Sequence, residues 1–133
     1  MSHGLRRELM SEAYLILHIT PQSDWDRTPG DTHYAAASLA SEGFIHCSTP
    51  EQVLGPAHGL FRGQRNLVLL CIDVRCLDAA VVYEDCYDAG EAFPHIYGPI
   101  ERCAVVAVVP FPCQEDGSFI VPDEIEAIRN RLG

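Results

Sequence analysis

Hydrophobic positions fall into short runs with two different periods. Tyr14-Leu-Ile-Leu-His-Ile19 is apolar and β-branched and predicts a strand. It ends at Thr20-Pro21, where Thr20 suits a helix N-cap and Pro21 the first helical position. A short helix carrying Trp25 follows and stops near Pro29-Gly30. Ser38 to Gly43 predicts one helical turn closed by glycine. Phe44-Ile-His-Cys-Ser48 predicts a short strand, with Phe44, His46 and Ser48 on one face and Ile45 and Cys47 on the other. Thr49-Pro50-Glu51-Gln52 has the form of a capping box. The helix it opens should bury Val53, Leu54, Ala57 and Phe61, with Gly55-Pro56 making its first half kinked or irregular.

Leu67 to Asp73 is the most apolar stretch and predicts a central strand. A turn over Arg75–Asp78 leads to a strand at Ala80–Tyr83. A polar loop then runs from Glu84 to Phe93, followed by a compact turn or edge segment at Pro94–Pro99. Cys103 to Val109 predicts a strand ended by Pro110 and Pro112. Asp116-Gly117 predicts a tight turn, and Phe119–Val121 a short returning strand. Pro122 starts the last helix. Asp123 and Glu124 lie in its first turn and Arg129 and Arg131 in its last, in the sense that the helix dipole favours. Ile125, Ile128 and Leu132 form its buried stripe. Strands outnumber helices and do not alternate with them strictly, which predicts a mainly antiparallel α+β fold with a few short helices.

The chain has 133 residues, the size of one domain, here expected over residues 14–133. Residues 1–13 read as a frayed lead-in. They lack the apolar core of a signal peptide, and no run is long and apolar enough for a membrane helix, so a cytoplasmic location is expected. Of six cysteines, Cys47, Cys71 and Cys103 lie in apolar runs, where a thiol acts as a small hydrophobe. Free thiols are expected throughout. The net charge is −10, with nine cationic residues, all arginine. That balance argues against broad nucleic-acid binding, which needs a basic face, while leaving room for a local arginine pocket that holds a small anion.

Three segments carry candidate chemistry. His18 sits mid-strand and reads either as a core histidine bonded to a backbone carbonyl or as a site residue. His46 precedes Ser48-Thr49 at a strand end that leads into a capped helix, where free backbone N–H groups attract anions. Pro94-His95-Ile96-Tyr97-Gly98-Pro99 is the third, readable also as a plain turn with an exposed histidine and a buried tyrosine ring. Glu84 is a candidate carboxylate behind them. His33 and His58 read as surface residues. CxxC, HExxH and HxH spacings are all missing, so no metal is expected, although histidines on separate segments could still meet in space.

His18 with Trp25, the run from Ser38 through Glu-Gly-Phe-Ile-His-Cys-Ser48 with Gln52, Leu69–Asp73, and Phe93-Pro-His-Ile-Tyr-Gly98 together resemble the bacterial family called domain of unknown function 952, from about Tyr14 to Val121. That family more remotely resembles the ADP-ribosyltransferase fold. Leu15-Ile-Leu-His18-Ile-Thr20 is similar to its early Leu-Tyr-His-Gly-Thr strand. Phe44-Ile-His46-Cys-Ser48 with the next helix and strand is similar to a succession in the RNA 2′-phosphotransferases. The resemblance implies a split sheet and an enzyme that transfers or hydrolyses ADP-ribose. NAD or a related nucleotide would be its substrate, held by His18, Thr20, His46, Ser48, Thr49 and Tyr97, with catalysis at His18, His46, His95 and Tyr97. The third catalytic position has no clear match; His95, Tyr97 and Glu84 are its candidates. The alternatives are a small-ligand-binding module without turnover and, more weakly, a metal protein. The oligomeric state is left open.

Overall fold

Seven consecutive buried residues, Leu67 to Asp73, form the strand β4 on which the rest is built. The computed structural model describes residues 14–28, 33–86, 88 and 90–133. The expected lead-in over 1–13 and the helix stop at Pro29-Gly30 lie outside the described residues. Strand β1 (Leu15–Pro21) pairs antiparallel with β4, Leu15 facing Asp73 and Pro21 facing Leu67. Strand β8 (Val105–Pro110) pairs with the other edge of β4, with a register shift between Cys71 and Ile72. The sheet order is β1-β4-β8.

Alternation along β4 serves two cores at once, because successive side chains point to opposite faces. Leu67, Leu69 and Cys71 enter one cluster with Leu15, Leu17 and Phe111. Helices α3 (Leu54–Leu60) and α4 (Glu124–Leu132) cover it through Ala57, Ile125 and Ile128. Val68, Leu70 and Ile72 enter the second cluster with Ile16, Ile45, Ile96 and Ile100. A strand buried on both faces reads as an unbroken apolar run, which is why β4 is so plain in the sequence.

The second cluster is closed by two smaller antiparallel sheets. In one, β3 (Ile45–His46), β6 (Phe93–Ile96) and β5 (Val81–Glu84) lie in the order β3-β6-β5. In the other, β2 (His33–Tyr34) pairs with β7 (Ile100–Glu101). The first is tied to β1 at one point: Leu17 N–H donates to Ser48 O at 2.7 Å and Ser48 N–H to Leu17 O at 2.8 Å. The described structure is thus α+β, with antiparallel sheets and a few short helices. Among the described residues no helix is long and apolar enough to cross a membrane, and all six cysteines are free.

Several local expectations shift. Thr20 lies inside β1, and α1 (Gln22–Asp26) is preceded by Pro21 instead. Helix α2 (Ala37–Glu42) is closed as expected by Gly43, whose φ of 89° is the left-handed cap that glycine adopts freely. The capping box holds Thr49 N–H on Gln52 Oε1 at 3.1 Å, but α3 begins only at Leu54. Pro56 then stands in the helix's first turn, where its missing N–H costs nothing. Cys103 is exposed in a 3-10 turn over Arg102–Ala104, not in the strand. Phe119 is buried, yet Phe119–Val121 forms no strand. His58 is tied in, its Nε2 accepting from Phe119 N–H at 2.9 Å.

The largest correction is at Pro94–Pro99. Phe93–Ile96 is the middle strand of its sheet, not a turn, and the burial is inverted: His95 is buried and Tyr97 is 43% exposed. Proline reads as an edge residue because it cannot donate to a ladder. Here the Pro94 carbonyl still accepts from Cys47 N–H at 3.0 Å. The ladder with β3 stops there, and the next residue, Ser48, pairs with Leu17.

Leu69 has no exposed surface at the centre of the first core. Leu69→Ala should therefore cost ~3 kcal/mol of unfolding free energy, read from denaturant melts. A loss under about 1 kcal/mol, the level of exposed sites, would contradict this packing.

Candidate functional site

His18 follows Ile16 on the β1 face that looks toward the second core, where the Leu17–Ser48 contact brings β3 alongside. Its Nδ1 lies 2.7 Å from the carbonyl oxygen of His46. A carbonyl only accepts, so Nδ1 carries the proton and Nε2 keeps its lone pair; this tautomer is assigned from the bond. Burial makes the imidazolium costly and holds the His18 pKa at about 4, below the ordinary 6.5, despite the opposing His46 carbonyl. At neutral pH His18 is an uncharged acceptor. Tyr34 Oη lies 3.4 Å from Nε2 and 2.8 Å from Thr20 Oγ1. Burial raises the Tyr34 pKa, so its hydroxyl stays protonated.

A second cluster adjoins it. The Phe44 ring stacks on His95 with centroids 4.2 Å apart and meets His46 edge-on at 4.8 Å. The two imidazoles lie 5.3 Å apart, as expected for residues paired across β3 and β6. His46 Nε2 is 3.1 Å from Glu42 Oε1, the carboxylate at the end of α2. Glu84 Oε2 accepts from His95 Nδ1 at 2.8 Å and from the Tyr97 hydroxyl. The bond from Tyr97 holds the Glu84 carboxyl below the usual carboxylate range, with His95 adding to it. The same bond pushes Tyr97 up to about 12.

A cleft of about 650 Å³ opens over the first cluster, within the size range of small-molecule sites. His18, Thr20, His46, Ser48 and His95 line it, so the three histidine segments do converge. Thr49 and Tyr97 are not among its lining residues. Tyr97 reaches the group through Glu84 and through the Phe44 ring, 5.4 Å away between centroids, and Thr49 N–H is held by Gln52. The anion site expected at Ser48-Thr49 is not formed: Ser48 N–H is bonded to Leu17 and α3 starts five residues beyond Thr49. Among the described residues no arginine lines the cleft either; its charged wall is Asp24 and Glu42.

Sequence reading missed Tyr34, Asp24 and Glu42. Tyr34 lies in a two-residue strand paired with β7, too short for any local period to mark it. Glu42 had no readable signal either, because the left-handed cap at Gly43 and the strand β3 separate it from His46 and a four-residue spacing has meaning only within a helix. Phe44 was placed on the correct face but not given its role, which is to fix two imidazole rings at once.

The architecture and the histidine-lined cleft define a small antiparallel α+β protein with a buried polar site at a sheet junction. The chain belongs to the family described as protein of unknown function (DUF952), whose model matches residues 19–108. It is similar to protein CC0527 from Caulobacter crescentus. The crystal structure of CC0527 shares 31% identity with a TM-score of 0.74, covering 84% of this chain and 98% of that one. Its solution structure gives 32% identity and a TM-score of 0.67, covering 79% and 90%. No curated protein matches the chain.

The state of His18 sets a pH dependence. Unfolded, this imidazole binds a proton below about pH 6.5; folded, it does not until about pH 4. The unfolded chain thus holds more protons across that window, and stability falls as pH falls through it. The loss from this one residue should approach ~3 kcal/mol by the bottom of the window. His18→Gln should lose correspondingly less stability than the parent between about pH 7 and pH 4 in denaturant melts. Parallel losses in the two proteins would show that His18 is not buried as a neutral base.

Proposed function

We propose that the cleft takes the nicotinamide-ribosyl end of NAD or a related ADP-ribosyl nucleotide, and that the protein transfers or hydrolyses ADP-ribose on an ADP-ribosyltransferase-like fold. The observation that carries this reading is the meeting of His18, Tyr34, Thr20 and His46 in one open cleft. Split sheets joined beside an early-strand histidine agree with the same fold class.

The chemistry of the lining fits that end of the molecule. Ribose hydroxyls need acceptors and donors at fixed positions; His18 Nε2 accepts, and the Tyr34, Thr20 and Ser48 hydroxyls do both. A nicotinamide joined to ribose is cationic, and the cleft offers carboxylates and aromatic faces to it. Cleaving the ribosyl bond leaves nicotinamide neutral and moves positive charge onto the sugar. Asp24 and Glu42 supply negative potential for that charge. Water as acceptor would add its oxygen to the ribose carbon and release one proton, which His46, bridged to Glu42, is placed to take.

A second reading, a ligand-binding module without turnover, draws on one observation: Glu84, the carboxylate nearest the third catalytic position, does not line the cleft. Thermal shift separates binding from its absence, and nicotinamide release separates the two readings. NAD and nicotinamide mononucleotide should raise the melting temperature more than ADP-ribose does, and His18→Ala should abolish the shift. Nicotinamide release from NAD indicates the enzyme, and binding without release the module. No shift with any of the three ligands would end both readings.

A further inference from the structure

At the Nδ1 edge of the His95 ring, three side chains of different chemistry come together: Glu84, Cys86 and His95 itself. Val82 faces His95 and Glu84 faces Phe93 in the β5–β6 ladder, which sets Glu84 diagonally across from His95 on one face. Cys86 lies two residues past the end of β5. One ligand atom from each of Glu84, Cys86 and His95 lies within 4.8 Å of the others. His95 Nδ1 is 2.8 Å from Glu84 Oε2 and 3.7 Å from Cys86 Sγ.

We propose that Glu84, Cys86 and His95 bind a divalent transition-metal ion of the zinc class. A tetrahedral ion with ordinary bonds to sulfur, imidazole nitrogen and carboxylate oxygen holds those atoms about 3.3–3.6 Å apart. The sulfur–nitrogen separation is already close to this, and the nitrogen–oxygen contact needs to open by roughly half an ångström. One thiolate, one imidazole and one carboxylate form a mixed set of borderline softness, which suits zinc or cobalt better than calcium or magnesium.

The surroundings are those of a supported site. Phe44 stacks on the His95 ring and fixes its orientation. The Tyr97 hydroxyl bonds the Glu84 carboxylate and orients it, as outer partners of metal ligands commonly do. Three protein ligands leave a fourth position for solvent, on the exposed side where Cys86 and Tyr97 stand. This set has none of the sequence spacings of familiar zinc motifs, because it depends on a ladder between two strands and on one residue beyond it.

The test uses the full chain without a histidine tag and cobalt(II) as the probe, with no nucleotide present, so its result is independent of the cleft's ligand. The parent protein should take up one equivalent and show a thiolate-to-cobalt charge-transfer band with the intense visible bands of a tetrahedral ion. Cys86→Ala, at an exposed position, should lose the charge-transfer band, and Glu84→Gln should weaken binding roughly tenfold or more. Cys76→Ala and Cys103→Ala, changing exposed thiols elsewhere, should bind as the parent does. An absent charge-transfer band in the folded parent, or a band that survives Cys86→Ala, overturns the proposal.

Discussion

Two main-chain hydrogen bonds between Leu17 and Ser48 hold the candidate site together. They are the point at which the β1-β4-β8 sheet is joined to the β3-β6-β5 sheet. Through them the segment carrying His46 is laid beside the segment carrying His18, and the His46 carbonyl falls within reach of the His18 ring. Pro94 lies opposite Cys47 and accepts from its N–H but has none to return, so the ladder of β3 with β6 ends there, while Ser48 turns its own N–H and carbonyl to the other edge and Leu17. The cleft is therefore a product of backbone pairing, and its side chains occupy positions that the sheets had already chosen.

The same arrangement explains why a neutral histidine sits among polar groups without a counter-charge. His18 gives its proton to a carbonyl, which asks for no ionisation. Its other nitrogen faces Tyr34, itself held by Thr20. In the network of His18, Tyr34 and Thr20 each buried side-chain polar atom has a partner of matching kind, which keeps burial from being costly. Farther out, charge returns: Glu84 collects hydrogen bonds from His95 and Tyr97 at the surface of the smaller sheet. The site thus grades from uncharged and buried to charged and exposed across Phe44.

Much of this was legible in the sequence, and the failures have physical causes. β4 was plain because burial on both faces leaves seven apolar residues in a row. Gly43 was plain because a left-handed cap has few other solutions. His18, His46 and His95 were recognisable as a set, and they do meet. Pro94 misled because a proline in a middle strand is rare, and this one is tolerated only where the ladder stops. Tyr34 was invisible because two-residue strands carry no period. Ser48 and Thr49 looked like an anion site because the capping box was read as the start of a helix that in fact begins at Leu54.

The position of β4 in the chain bears on how the protein comes to be folded. Its partners are far away on either side: Leu15 at one edge and Val105 at the other. During synthesis β1 emerges first and waits for β4, and β4 then waits for β8. A long apolar segment with one unpaired edge is thus exposed until residues 105–110 have been made. Such non-local pairing slows folding and favours self-association of the nascent chain. The strand that does most for the finished protein is thus also the one whose apolar edge stays open longest while the chain is being made.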